Sequence, residues 1–327
     1  MTTLVLSHAS SLAHETPPGH PERIDRIKAV NAVLNAPAFR SVLRKDAPLG
    51  TDAHVLLAHS LEHVQRIRGV APEQGFEYID TDTVMSLHSL EAALRAVGAA
   101  TAAVDAVFRG EADNAFCALR PPGHHAEHNR AMGFCFFNQA AIAALYARDR
   151  YDAERVAVVD FDVHHGNGTQ DIFWSDANSF YGSTHQMPLY PGTGSRSETG
   201  VGNIFNAPLR AGDGGEAFRA AFDGVILPAL SAFGPDLVVI SAGFDAHVRD
   251  PLGSLELTEE DFAWATLKLM DIADLHASGR VVSVLEGGYD LQGLAGSVGV
   301  HLHALLHGET LAMGPANDND DDDDEDD

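Results

Sequence analysis

The chain has 327 residues, of which 45% are hydrophobic and 21% are charged, values typical of a globular protein. Its formal net charge of −26 at pH 7 opposes binding to nucleic acid or to an anionic membrane surface. These values exclude a largely disordered chain and predict one large domain with no nucleic-acid or membrane partner.

The two ends of the chain and the cysteines bear on where the protein acts. The first residues, MTTLVLSHASSLAH, lack the basic start of a signal peptide and the long apolar run of a membrane span. Cys117 and Cys135 form no CxxC pair, which suits the reducing cytoplasm. Nine of the last ten residues are acidic, and such a run repels itself. We therefore predict a cytoplasmic protein with a domain over residues 1–315 and a disordered acidic tail over residues 316–327.

Short apolar runs alternate along the chain with longer segments of helical periodicity. The runs are rich in Val, Ile and Phe and predict strands at residues 3–6, 115–119, 156–161, 237–240 and 281–285. The longer segments predict helices at residues 89–108, 138–148, 215–233 and 259–277. A capping box at Thr258 and Asp261 precedes the last helix. The alternation predicts a single α/β domain with a central parallel sheet flanked by helices, in which ligands bind beyond the carboxyl ends of the strands.

Two carboxylates and an imidazole follow the predicted strands at 156–161 and 237–240. Asp162 and His164 come directly after the first strand, and Asp245 comes after the second. This three-ligand set leaves one position open for water, as a catalytic Zn²⁺ requires. The pattern predicts one catalytic zinc ion held by Asp162, His164 and Asp245.

Other polar residues near the strand ends are suited to proton transfer and to stabilising an oxyanion. His124 and His125 follow a rigid Pro-Pro-Gly turn and are candidates for general base and acid. Asp160 and Asn167 flank the zinc motif and are candidates to fix the imidazole tautomers. Tyr289 lies on a Gly-Gly turn and is a candidate donor to the developing oxyanion. Each residue alone is more often structural, but their joint occurrence at four strand ends favours catalysis.

Six motifs occur in one order along the chain: RPPGHHA, GFCFFNQAAIAA, DFDVHHGNGTQ, PGTG, SAGFDAH and LEGGYD. Together they resemble the histone deacetylase and acetylpolyamine amidohydrolase family, with a class II-like histone deacetylase pattern. The resemblance implies an arginase-like α/β domain that uses zinc-activated water to hydrolyse the acyl amide of acyl-lysine or a similar acylated amine. It implies the roles given above for the zinc ligands, the tandem histidines and the tyrosine.

The same resemblance identifies further site residues. The substrate tunnel would be formed by Gly133, Phe134, Tyr190 and, at its rim, Leu252. Asp82 matches the rim aspartate that binds the substrate backbone, with Asp80 as the alternative. Arg23, in HPERIDRI, matches the arginine near an internal channel for acetate. A structural potassium ion would be bound by Asp160, Asp162, His164, Ser183 and Thr184. A second potassium ion would lie near Phe173, Asp176, Ser179 and Asn203.

Two departures from the wider family pattern affect the expected activity. Asn167 stands where some branches carry Asp, so an amide would accept from His125 and would stabilise its imidazolium less than a carboxylate does. Tyr289 is retained, whereas a weakly active branch carries His at this position. We therefore expect deacetylase activity.

Two other classes of function share parts of this pattern. A binuclear manganese ureohydrolase needs a carboxylate two residues after its motif histidine, and Gly166 occupies that position. A protein that only binds acyl-lysine would have a broken catalytic set, and here every member is present. Acyl-lysine, acetylpolyamines and small amides all stay open as substrates, as does a homo-oligomer. Leu252 offers no carboxylate for a distal ammonium, which favours acetyl-lysine over acetylated polyamines.

Overall fold

Ten strands lie within residues 1–311, the part of the chain that the structure, a computed structural model, describes. In chain order they are β1 (Thr3–Ser7), β2 (Leu43–Asp46), β3 (Glu77–Tyr78), β4 (Val84–Met85), β5 (Asn114–Cys117), β6 (Val156–Asp160), β7 (Ser179–Gln186), β8 (Ile204–Leu209), β9 (Leu237–Ala242) and β10 (Val281–Leu285). Eight of them form one sheet in the order β2-β1-β5-β10-β9-β6-β7-β8, and all neighbours in it are parallel. The strands β3 and β4 form a separate antiparallel hairpin.

The sheet is covered by helices on both faces. In chain order the helices are α1 (Ser10–Ala13), α2 (Ile24–Leu34), α3 (Asp52–Val55), α4 (Leu61–Gly69), α5 (Ser89–Phe108), α6 (Gln139–Tyr151), α7 (Asn167–Phe173), α8 (Gly215–Ala221), α9 (Leu227–Phe233), α10 (Glu259–His276) and α11 (Leu291–His307). A π-helical turn, Phe222–Ile226, joins α8 to α9. This arrangement confirms the predicted α/β domain with a central parallel sheet.

The hydrophobic core has two layers, one on each face of the sheet. Alternate strand residues enter opposite layers. Val239 lies in the layer that includes residues of α5 and α6, and Val238 lies in the layer that includes residues of α10 and α11. Because both faces are covered, the central strands are apolar at almost every position, which explains why they were predictable as continuous runs. All five predicted strands are present, and they correspond to β1, β5, β6, β9 and β10.

The fold brings the carboxyl ends of four predicted strands together. The strands β5, β10, β9 and β6 are consecutive neighbours in the middle of the sheet. The polar residues that follow them therefore share one edge of the sheet. The acidic tail predicted over residues 316–327, and the end of the domain predicted at residue 315, lie outside the described residues. Among the described helices, none combines the length and apolar character needed to cross a membrane, and the cytoplasmic location stays a prediction.

Candidate active site

Asp162, His164 and Asp245 lie together at the ends of the adjacent strands β6 and β9. One ligand atom from each residue lies within 4.8 Å of the others, and all three side chains are buried. His164 Nδ1 is 3.1 Å from Asp162 Oδ1 and 3.1 Å from Asp245 Oδ2. Backbone amides hold the carboxylates in place, because Val163 N donates to Asp245 and Gly287 N donates to Asp162. The predicted zinc ligands therefore form a preorganised set of two carboxylates and one imidazole.

The electrostatics of this triad favour a bound cation. Burial and repulsion from Asp162 raise the pKa of Asp245 to about 7, although His164 opposes this rise. Burial lowers the pKa of His164, but the two carboxylates outweigh it and raise that pKa to about 10. Two buried carboxylates thus share one imidazole as their nearest positive group. A divalent cation would satisfy both carboxylates and release the proton from the imidazole.

The tandem histidines each have a side-chain acceptor that fixes the tautomer. His124 Nδ1 donates to Asp160 Oδ2 at 2.9 Å, and His125 Nδ1 donates to Asn167 Oδ1 at 2.8 Å. The two rings are 4.0 Å apart between centroids. With the proton on Nδ1, the Nε2 atom of each ring is free to exchange a proton with a reacting group. The structure therefore brings together the predicted His–Asp and His–Asn pairs.

The two imidazoles have opposite pKa shifts. Burial opposes charge on His124, but Asp160 and Asp162 outweigh it and raise its pKa well above the usual value. Burial, together with repulsion from His124 and His164, lowers the pKa of His125 well below the usual value. Near neutral pH the pair therefore contains one charged and one neutral imidazole. Titratable pairs whose pKa values are pushed apart are suited to act as acid and base.

Tyr289 is held in position without using its hydroxyl group. Its backbone N donates to Asp250 Oδ2 at 2.6 Å, and the Arg26 guanidinium carbon lies 4.9 Å from the ring centroid. The ring also lies edge-on to Phe134, with centroids 6.0 Å apart. Burial raises the pKa of Tyr289 well above its usual value, so the hydroxyl stays protonated and can donate a hydrogen bond.

A cavity of about 260 Å³ leads from the surface to His125 and His164. All five residues predicted to form the tunnel or its rim line it: Asp82, Gly133, Phe134, Tyr190 and Leu252. His125 and His164 line it as well. Phe134 has a φ of 69°, an unusual value for a bulky residue, and Thr83 Oγ1 accepts from its backbone N. At Gly133, an added Cβ would lie 2.4 Å from the His125 ring, so only glycine fits there.

The two candidate rim aspartates both lie in the turn between β3 and β4, but their surroundings differ. Asp80 Oδ1 accepts from the backbone N atoms of Asp82 and Thr83, so its carboxylate closes the turn. Asp82 instead lines the cavity, and His20 Nε2 donates to its carbonyl. Of the two alternatives, only Asp82 faces the place where a substrate would enter.

The structure does not bring Arg23 to the site, and this prediction was wrong. The Arg23 side chain is 49% exposed and pairs with Asp25. Arg26, three residues later on α2, is buried and donates to the carbonyls of Gly288 and Glu286. The motif HPERIDRI contains two arginines, and α2 begins only at Ile24, so the first arginine lies outside the helix and the second faces the core.

The residues of the second predicted potassium site lie together around the Asn203 side chain. Asn203 Nδ2 donates to the carbonyls of Phe173, Asp176 and Ser179 at 2.9, 3.1 and 2.7 Å. Val201 N donates to Asn203 Oδ1 and fixes this orientation of the amide. In this orientation the amide satisfies all three carbonyls, and the second potassium site stays a prediction. For the first potassium site, Asp160 and Ser183 are register partners on β6 and β7, so these two of its predicted residues lie side by side.

Several buried charged residues that support the site were not predicted. Glu22 accepts from both Arg26 and Arg120, and it thereby links α2 to the RPPGHH turn. Glu286 Oε2 accepts from the backbone N atoms of Gly123 and His124. Glu22 and Arg26 are spaced i, i+4, which is a recognisable helical pair. Glu286 lies within the LEGGYD motif, but its partners are distant in sequence.

The model of the histone deacetylase domain family matches residues 20–305. The chain belongs to the histone deacetylase family. Within this family it is 38% identical over 301 residues to a probable deacetylase of Archaeoglobus fulgidus, covering 90% of this chain and 83% of that relative. It is 39% identical to a histone deacetylase-like amidohydrolase of Pseudomonas aeruginosa over 83% of this chain and 73% of the relative. The crystal structure of the HDA15 HD domain matches with a TM-score of 0.89 and 36% identity, over 95% of this chain and 90% of that one.

These similarities confirm the family that the six motifs indicated. The chain shares its parallel-sheet domain with a solved histone deacetylase domain, and its relatives carry deacetylase and amidohydrolase names. The family and the names of the relatives therefore support deacetylase or amidohydrolase activity for this chain.

Proposed function

We propose that this protein is a zinc-dependent deacetylase that hydrolyses the acyl amide of acyl-lysine or of a similar acylated amine. One observation carries the proposal. His125 and His164 line one cavity, and the other groups lie directly beside its walls. Asp162 and Asp245 contact His164, His124 contacts His125, and Tyr289 packs against Phe134. An extended acylated amine fits such a cavity because its aliphatic stem can contact apolar walls while its amide reaches the polar end.

The triad suits zinc by the chemistry of its donors. Zinc binds carboxylate oxygen and imidazole nitrogen, and a catalytic site uses three protein ligands with a fourth position open. When bound there, zinc would polarise the amide carbonyl and lower the pKa of water. The other steps belong to side chains of the protein, and their roles follow from their charges.

The tandem histidines are proposed to move the proton. His125 lines the cavity and is neutral, so its Nε2 can accept a proton from the water that attacks the acyl carbon. His124 is held protonated beside Asp160 and places positive charge near the reacting carbonyl. The pair then returns a proton to the leaving amine. The Tyr289 hydroxyl donates a hydrogen bond to the oxyanion that develops.

A structural potassium ion near the triad is part of the proposal. Its ligands would come from Asp160, Asp162, His164, Ser183 and Thr184. Thr184 Oγ1 is buried and has no hydrogen-bond partner among residues 1–311, which supports an additional ligand at this place.

The alternative ureohydrolase chemistry is disfavoured at Gly166. An added Cβ at Gly166 would lie 2.4 Å from Asp160 Oδ2 and 2.6 Å from the Tyr181 hydroxyl. The protein therefore has no room for the carboxylate that a second metal ion needs at this position. This observation supports a single catalytic metal ion.

The substrate class is tested by kcat/KM for an acetyl-lysine peptide, acetylspermidine and acetylputrescine at fixed ionic strength. We expect the peptide to be preferred, because Leu252 at the cavity rim contacts an aliphatic stem but offers no partner for a distal ammonium. Leu252→Glu should raise kcat/KM for the polyamines relative to the peptide. Leu252→Gln is the control for shape without charge and should not. A wild-type preference for either polyamine by tenfold, about 1.4 kcal/mol, would contradict the acyl-lysine assignment.

A further inference from the structure

The side-chain amide of Asn167 has a sharply asymmetric environment. Its Oδ1 accepts from His125 Nδ1 at 2.8 Å. Its Nδ2 faces three acceptors, which are Glu127 Oε1 at 2.7 Å, Met132 Sδ at 3.3 Å and the His125 carbonyl at 3.5 Å. The contact with Glu127 is the shortest of the three and the only one to a charged group. A carboxylate therefore stands behind the amide that holds His125.

The orientation of this amide determines the tautomer of His125. An amide offers an acceptor at one end and two donors at the other, whereas an ionised carboxylate only accepts. With Glu127 at one side, Nδ2 must face Glu127 and Oδ1 must face His125. His125 then carries its proton on Nδ1 and has a free lone pair on Nε2. In the flipped amide, Nδ2 would face Nδ1 of His125, and the imidazole proton would move to Nε2.

Glu127 is itself fixed by its backbone. It forms a β-bridge with Arg130, and His59 Nδ1 donates to its carbonyl at 2.9 Å. Its side chain is half-buried at the surface end of the site rather than packed in the core. A substitution at this position therefore leaves the main hydrophobic layers unchanged.

We propose that Glu127 is a positioning residue for the reaction, which locks the Asn167 amide so that His125 Nε2 can accept a proton. The inference rests on the proposed function of His125. It assigns to two residues, Asn167 and Glu127, the task that a single aspartate at position 167 would perform, because an aspartate accepts through either oxygen and needs no orienting partner. Glu127 is thus needed only because position 167 is an amide.

The kinetic test is a double-mutant cycle on the zinc-loaded full-length protein with an acetyl-lysine peptide. Glu127→Ala should lower kcat about tenfold or more with KM within threefold, in the range typical of residues that orient a catalytic group. Glu127→Gln keeps an acceptor but can also donate, so it should lower kcat less than Glu127→Ala does. In an Asn167→Asp background, Glu127→Ala should not lower kcat, because it removes a like charge from beside Asp. Glu111→Ala, which removes an exposed carboxylate bonded to Lys45, controls for loss of charge alone.

The concentration of active sites is measured by titration with a tight-binding inhibitor, and turnover is expressed per active site so that misfolded protein does not contribute. The thermal midpoints of the variants are compared as a second check on folding.

The second readout is the ¹⁵N NMR shifts of the His125 ring, which should report an Nδ1–H tautomer in wild type and a mixture in Glu127→Ala. An unchanged tautomer, a kcat within twofold of wild type, or the same fall in the Asn167→Asp background would each overturn the proposal. If wild type hydrolyses no acylated amine, the proposed function fails instead, and the NMR shifts still decide whether Glu127 sets the tautomer.

Discussion

Tyr289 illustrates how single side chains of the site are positioned by groups other than those that react. The backbone N atoms of Tyr289 and Asp290 both donate to Asp250 Oδ2, and Asp250 Oδ1 accepts from Leu252 N. One buried carboxylate therefore fixes both the tyrosine turn and the rim residue of the cavity. The Tyr289 hydroxyl is free to act on the substrate because it contributes nothing to this support.

Tyr289→Phe should leave the fold intact and remove the donor to the oxyanion. We expect kcat on an acetyl-lysine peptide to fall about 10²–10³-fold, about 3–4 kcal/mol, as is typical when one such donor is lost. The thermal midpoint should change little, since the backbone contacts to Asp250 and the ring contact with Arg26 are kept. The measurement is steady-state kinetics beside a thermal melt. A kcat within a few fold of wild type would show that Tyr289 is not the oxyanion donor.

The residues of the site were predictable where the chemistry follows a strand directly. Asp162, His164 and Asp245 were found in this way, because two-residue spacing after a buried strand places side chains at one sheet edge. Arg26 was missed for a different reason. The sequence contains two arginines in HPERIDRI, and only the start of α2 determines which of them faces the core. The orientation of an amide such as Asn203 depends on partners that are distant in sequence, so no motif could reveal it.

At the scale of elements, one close helix contact fixes the loop that follows β2. Gly98 in the middle of α5 packs against the backbone of residues 48–50, and an added Cβ would lie 2.0 Å from the Pro48 carbonyl oxygen. Gly50 N donates to the Leu94 carbonyl of the same helix, and Arg95 donates to the Ala47 carbonyl. Glycine is therefore required here by close approach of two backbones rather than by its own conformation.

Gly98→Ala should destabilise the protein although alanine is the better helix former. We expect the free energy of unfolding to fall by about 1–3 kcal/mol, because the added methyl group overpacks the contact. Gly299→Ala in α11 is the matched control. There an added Cβ would meet only Val33 at 3.7 Å, so a gain of about 0.5–1 kcal/mol is expected from helix propensity. Urea unfolding followed by circular dichroism measures both values. Equal effects of the two substitutions would contradict the close approach at Gly98.

The elements that could be predicted from the sequence are the apolar ones with a regular periodicity. The helix α5 was predicted with the bounds that it has, since alanine-rich helical periodicity extends over its whole length. The strands β7 and β8 were missed because SFYGSTHQ and IFNAPL contain polar residues, such as His185 and Asn206, that bond to carbonyls of the loop between the two strands. The edge strand β2 is exposed throughout. The helix α11 contains Gly293, Gly296 and Gly299, and its stability comes from packing on α2 and α10 rather than from propensity.

Across the whole molecule, several histidines are buried in their neutral form. Burial lowers the pKa of His301 to about 3, of His59 to about 3 and of His63 to about 4, from an ordinary value of 6.5. Each has hydrogen-bond partners that suit a neutral ring, as His301 contacts the hydroxyls of Thr266 and Ser283. At these histidines the folded protein therefore binds fewer protons than the unfolded chain once the pH falls below about 6.5.

We expect stability to decrease as the pH falls from 6.5 towards 4. The unfolded chain gains a proton at each of these histidines in that interval, while the folded protein does not. Each histidine therefore removes about 1.4 kcal/mol of stability per pH unit between its unfolded and folded pKa values. The measurement is the free energy of unfolding in urea at pH 7, 6 and 5, with His301→Gln compared at the same pH values. The same pH dependence in His301→Gln and in the wild type would contradict the neutral burial of His301.

We propose that one metal ion in the triad of Asp162, His164 and Asp245 is required for amide hydrolysis. The most direct measurement is turnover of an acetyl-lysine peptide while metal-free protein is titrated with zinc. We predict that turnover starts near zero, rises linearly and reaches a plateau at one zinc ion per chain. Asp245→Ala should bind little zinc and gain no turnover over the same titration. Full turnover in the metal-free protein, or a plateau only at two ions per chain, would contradict the account.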